Sequence, residues 1–119
     1  MTVLRLAAVA SVLLLAACSS PSPKERLTAA EMDGVAPLKQ TYSGVVTGFD
    51  FPDDTTLVIS MDANEYNGMD DDAQAAMKKA VLQTWRDVWR KQHPNDHANL
   101  TVKLNDFIGR TWVTQSIRV

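Results

Sequence analysis

The sequence predicts an α+β domain: a small, mainly antiparallel four-stranded sheet with one long helix on one face, in the order ββαββ. Three observations carry this. Segments 41–62 and 99–119 each hold two short stretches in which apolar and polar residues alternate. Between them, 69–92 repeats apolar residues at helical spacing. Turn-forming clusters separate the pieces.

In TYSGVVTGF (41–49), Val45, Thr47 and Phe49 alternate with Gly44, Val46 and Gly48, as a strand requires. FPDD (51–54) reads as a turn. TTLVISMD (55–62) then sets Leu57, Ile59 and Met61 on one face, and the short separation predicts a hairpin. In 69–92, Ala73, Ala76, Met77, Ala80, Val81, Trp85, Val88 and Trp89 form a stripe at i, i+3, i+4 and i+7 spacing. Pro94 ends this helix, because the residue before a proline avoids the helical region. NLTVKLND (99–106) points Leu100, Val102 and Leu104 inward, FIG (107–109) turns, and RTWVTQSIRV (110–119) puts Val113, Ile117 and Val119 on one face. Strands two and three, if neighbours, run parallel.

The acidic stretch MDANEYNGMDDDAQ (61–74) raises the question of a cation loop. An EF-hand loop wants glycine at its sixth position and a glutamate at its twelfth. Counted from Asp62, these positions hold Asn67 and Ala73, and the fifth holds Tyr66. A helix start accounts for the same residues. Asn67 or Asp71 can cap the free amides, and Asp70, Asp71 and Asp72 sit where the helix dipole favours anions. Asp71 and Gln74 are spaced as a capping box. His93 and His97 are four apart, but Pro94 breaks the helix between them. No metal site and no cofactor are expected. No serine stands in a G-x-S-x-G elbow, so no nucleophilic site is read either.

Trp85 and Trp89, one turn apart on the stripe, are expected in the core. Trp112 falls opposite in phase to Val113, Ile117 and Val119. Alternation therefore places it on the uncovered face, beside Val58 and Thr114, as a candidate partner surface. Strand four is expected to form an edge open to strand addition.

The 119 residues suffice for one domain, and 45% hydrophobic with 22% charged residues is an ordinary globular balance. The formal net charge of −2 speaks against non-specific nucleic-acid binding, which usually needs a basic face. The single cysteine, Cys18, excludes an internal disulfide.

Cys18 ends a patterned leader, MTVLRLAAVASVLLLAAC. Arg5 precedes an uncharged stretch, Leu6 to Leu15, which is shorter than the ~20 residues of a membrane span. Leu15-Ala16-Ala17-Cys18 follows. These residues resemble the bacterial lipoprotein signal, whose lipobox is Leu, a small residue, Gly or Ala, then Cys. The resemblance covers residues 1–18 only. It implies cleavage between Ala17 and Cys18, diacylglycerol on the Cys18 thiol and an acylated new amine. Each buried methylene contributes ~0.8 kcal/mol and two chains suffice for stable anchoring, so no spanning helix is required. Ser19, in place of the aspartate that favours inner-membrane retention, implies the periplasmic face of the outer membrane.

The expected organisation is thus a signal peptide over 1–17, the lipidated Cys18 with a flexible tether over 18–40, and a domain over 41–119. The tether, rich in Ser and Pro at its start, is expected to reach roughly 25–30 Å as a coil. The functional expectation is a non-enzymatic, lipid-anchored binding or assembly module for another cell-envelope protein. A small-ligand or lipid site lined by Met61, Met77 and Trp85 is the second reading, and a cell-wall hydrolase the third.

Overall fold

A computed structural model describes residues 22–119; residues 1–21, including Ala17 and Cys18, lie outside it. The fold is α+β. Eight elements run in the order α1 (Pro23–Val35), α2 (Pro37–Thr41), β1 (Val46–Asp53), β2 (Thr56–Met61), α3 (Ala63–Asn67), α4 (Asp71–Gln92), β3 (Asn99–Asn105) and β4 (Thr111–Arg118). The strands form one sheet in the order β1-β2-β3-β4. β1–β2 and β3–β4 are antiparallel, whereas β2–β3 is parallel, because α4 carries the chain back to the sheet's starting end.

Helix α4 is the stripe realised. Met77, Val81, Trp85 and Trp89 are buried at four-residue spacing, against Leu57, Ile59, Met61, Leu100, Val102 and Leu104 of the central strands. Both indoles also tie the helix to the β1–β2 turn. Trp85 Nε1 donates to Thr55 O and Trp89 Nε1 to Asp54 O, each at 3.0 Å. The N-cap is Asp70, one residue before the expected box, with its carboxylate accepting from Ala73 N at 2.7 Å. Gln74 instead reaches back to Tyr66 O at 2.8 Å. The acidic stretch holds a second cap, Asp62, whose carboxylate accepts from Asn64 N and Glu65 N and starts α3.

Strand β1 lies later in the chain than expected. Residues 41–45 close α2 and turn, with Gly44 at φ +85°, and the strand runs on through Pro52 to Asp53. Pro52 is tolerated because β1 is an edge. The turn falls one step later, where the Asp53 carboxylate accepts from Thr55 N at 2.9 Å.

The largest correction concerns the expected tether over 18–40. Pro23–Val35 and Pro37–Thr41 are helical, separated by Ala36 alone. Ser22 caps α1, accepting from Glu25 N at 3.2 Å, while the Glu25 carboxylate accepts from Ser22 N at 3.1 Å: a complete capping box with proline at the first helical position. Pro37 then starts α2. Val35 and Leu38 belong to the core, and α1 packs on α4 with Gly34 facing Val88. The long helix is therefore not alone on its face of the sheet, and helices α2 and α3 are likewise additions to ββαββ.

Candidate interaction surface

Strands β3 and β4 join through Asp106-Phe107-Ile108-Gly109-Arg110. Gly109 takes the left-handed conformation at φ +85°, which a side chain would resist. Asp106 is buried, 4% exposed, and organises the turn. Its Oδ1 accepts from Ile108 N at 3.1 Å and Arg110 N at 2.9 Å. Its Oδ2 accepts from Arg110 Nε at 2.9 Å and Trp112 Nε1 at 3.0 Å. The Trp112 indole, then the Arg110 backbone, side chain and charge, overcome burial and hold the carboxyl down to about 2. The turn is a clasp fastened by one carboxylate, and its apolar tip stands in solvent. Phe107 is 92% exposed and Ile108 59%.

Trp112 does not lie on the open face. Leu104 pairs with Val113 and Asn105 with Thr111, so Trp112 is the extra residue of a bulge. Leu104 faces the helices and Asn105 the opposite side. Val113 therefore faces the helices, Thr111 the open side, and Trp112 falls in with Val113. The bulge reverses the phase that strict alternation assigns. Trp112 remains 44% exposed at the end of the sheet, lining a cleft of about 460 Å³ with Thr47, Met61, Asn64, Asn67 and Asp106. The expected grouping thus separates. Val58 and Thr114 do share the open face, in a cross-strand row Asp50–Val58–Lys103–Thr114. Val58 is half-buried and Thr114 exposed, and the neighbouring row is Gly48–Ser60–Asn105–Thr111, so this face is polar and lacks the aromatic.

Comparison with known proteins adds nothing to this geometry. No protein-family model matches the chain, and neither does any curated protein or solved structure.

The remaining sequence candidates resolve locally. His93 closes α4 and its ring stacks on Trp89 at 4.6 Å, with Nδ1 3.4 Å from Asp96. Among the described residues, no group of three His, Cys, Asp or Glu is placed to hold a metal ion. Among them, too, no helix is long and apolar enough to cross a membrane. The sequence reading takes only Phe107 to Gly109 as an ordinary turn and places Asp106 and Arg110 in the flanking strands, which in fact end at Asn105 and begin at Thr111. The signal was present in composition, because two large apolar side chains stand where turns ordinarily carry polar ones.

Proposed function

We propose that this protein is a lipid-anchored binding or assembly module of the bacterial cell envelope, held at the membrane by acyl chains on Cys18, and that the β3–β4 tip engages another envelope protein. The observation that carries the reading is the Asp106 clasp, which fixes Phe107 and Ile108 in water instead of letting them fold away. Full burial of such a side chain against a partner contributes roughly 1.5–3 kcal/mol each. Preordering the turn lowers the entropy cost of docking.

The surroundings favour a protein with a basic, apolar contact over an anionic lipid surface. Asp62 lines the same cleft, and Glu65, Asp70, Asp71 and Asp72 follow along α3 and the start of α4. The second reading, a ligand between sheet and helix, would need space at Met61, Met77 and Trp85 together; Met77 and Trp85 are fully buried in the core, and Met61 alone borders the cleft at the end of the sheet.

Crosslinking in intact envelopes tests the proposal. The double variant F107S/I108S is expected to lose the crosslinked partner while keeping the parent's circular dichroism and melting temperature. Retention of the same partner would refute the assignment of the tip. Cys18→Ala is expected to move the protein from the membrane to the soluble fraction; unchanged fractionation would remove the anchor.

A further inference from the structure

The sheet has two edges, and they are treated differently. Edge strands in natural proteins are ordinarily guarded by charges, prolines or bulges against pairing with another chain. Strand β1 carries all three: Asp50 and Asp53, Pro52, and register irregularities at Val46/Gly48 and Asp50/Asp53. Strand β4 carries none from Val113 to Ile117. It pairs with β3 without interruption there, and its only charge, Arg118, stands at one end.

The direction of its free backbone groups follows from the adjoining pair. Val119 N donates to Ala98 O at 2.9 Å, and Ala98 N to Val119 O at 3.2 Å. In an antiparallel ladder such pairs recur at every second residue. Val113, Gln115 and Ile117 therefore direct their N–H and C=O groups at β3. Thr114, Ser116 and Arg118 direct theirs at the free edge.

We propose that a second copy of this chain adds to this edge, β4 against β4 and antiparallel, about a twofold axis through Gln115. Only outward-directed residues can exchange hydrogen bonds, which restricts the axis to positions that pair 114, 116 and 118 among themselves. An axis at Thr114 sets Val113 opposite Gln115 and places Ser116 opposite the bulged Trp112, and an axis at Ile117 leaves only Ser116 and Arg118 to exchange hydrogen bonds. An axis at Ser116 sets Gln115 opposite Ile117. The axis at Gln115 sets Val113 opposite Ile117, two half-buried apolar side chains, and Thr114 opposite Ser116, two hydroxyls. Arg118 then falls near Trp112 of the other copy, and no like charges meet. Gln115 Oε1 is buried without a hydrogen-bond partner. At the axis it meets its own counterpart, whose amide can satisfy it after a turn of the terminal torsion.

Self-pairing is favoured over a foreign strand because one register satisfies the apolar, hydroxyl and amide positions together. Cysteine substitution reads the register directly. Cys18 is the only cysteine, so Cys18→Ala in the full chain leaves no thiol. Facing residues in a non-hydrogen-bonded pair have Cα atoms about 4.5 Å apart, within disulfide range. On mild oxidation, Gln115→Cys in that background is expected to form covalent dimer at least tenfold faster than Val113→Cys or Ile117→Cys. The Val113→Cys/Ile117→Cys double variant should recover the fast rate. Sedimentation of the thiol-free chain is expected to show a monomer–dimer equilibrium. Ser116→Pro should abolish it without lowering the melting temperature, because the lost N–H points at the free edge. A chain that sediments as monomer at all concentrations overturns the proposal. So does equal crosslinking at all three positions, the mark of random collision. Fastest crosslinking at Val113 or Ile117 overturns the axis.

Discussion

Gly34→Ala tests whether α1 is docked on the domain. A Cβ at Gly34 would stand 2.6 Å from Val88 Cγ2 and 3.1 Å from Val88 Cγ1. Two effects oppose each other. Alanine is a better helix former than glycine by up to about 1 kcal/mol, and less at the penultimate position of α1. Overpacking costs about 1–3 kcal/mol, and Val88 cannot swing aside cheaply because a β-branched side chain in a helix has one favoured χ1. Overpacking wins, with a net loss of about 1–2 kcal/mol. For a domain of this size the melting temperature should fall by about 4–15 °C. Thermal unfolding by circular dichroism measures this, and urea unfolding supplies the free energy. Val88→Ala removes both offending methyls, so Gly34→Ala in that background should be neutral or stabilising. The double-mutant cycle should show coupling of about 1–3 kcal/mol. If Gly34→Ala raises stability by itself and adds independently to Val88→Ala, α1 is not packed on α4, and the docked-helix account fails.

Two further predictions concern buried carboxyls. Asp106 titrates in the folded protein at about 2, below its ordinary value, so its contribution to stability is fully present above pH ~4 and is lost as pH falls toward 2. Asp106→Asn turns an amide NH₂ toward Arg110 Nε and Trp112 Nε1, which are donors themselves. The variant should be less stable at pH 7, show a flatter acid limb between pH 4 and 2, and exchange the Ile108 and Arg110 amides faster; an unchanged acid limb would contradict the clasp. Glu31 is pushed up, chiefly by burial and partly by Asp54, against the pull of His93. Its folded value lies above its unfolded one, so stability falls as pH rises through that interval. Glu31→Gln should therefore raise the melting temperature at pH 7.5 but not at pH 3.5, and an equal gain at both would show that charge is not the cause.

What the sequence discloses depends on how far a local signal decides the structure. Helix α4 was legible because its stripe of Met77, Val81, Trp85 and Trp89 repeats for more than three turns and is bounded by acids and a proline. Strand β3 was legible because Leu100, Val102 and Leu104 alternate without interruption. Helix α1 was missed because few of its residues are buried, Glu31 and Val35 with Gly34 against Val88, too short a stripe to register against Ser-Pro-Ser-Pro. The signal that could have found it was Ser22-Pro23-Lys24-Glu25, a cap, a proline at the first position and a glutamate at the third. Trp112 was placed on the wrong face for a different reason. Alternation assumes an unbroken ladder, and the bulge at Trp112, whose indole bonds back to Asp106 across the turn, resets it.

The docked α1 changes what anchoring at Cys18 implies. A free tether would have let the domain wander roughly 25–30 Å from the lipid. From Cys18 to the helix cap at Ser22 there are four residue steps, at most about 14 Å. The cap leads into the part of α1 whose Leu27, Thr28 and Glu31 share a cleft with Asp54, at the β1–β2 turn. Asp54 lies at the end of the sheet where β2 begins, whereas the tip beyond Asn105 lies where β2 ends, since Ser60 pairs with Asn105. Five steps of strand separate these ends by about 17 Å. On the proposed anchoring, the domain rides against the headgroups with Phe107 and Ile108 pointing away from the bilayer that holds it, and a partner in the aqueous space is what they can reach. A fluorophore on Phe107→Cys in the lipidated protein, reconstituted into vesicles, should accordingly be quenched by aqueous iodide and not by brominated lipid. Quenching by the lipid would place the tip in the membrane and replace the protein partner with the bilayer itself.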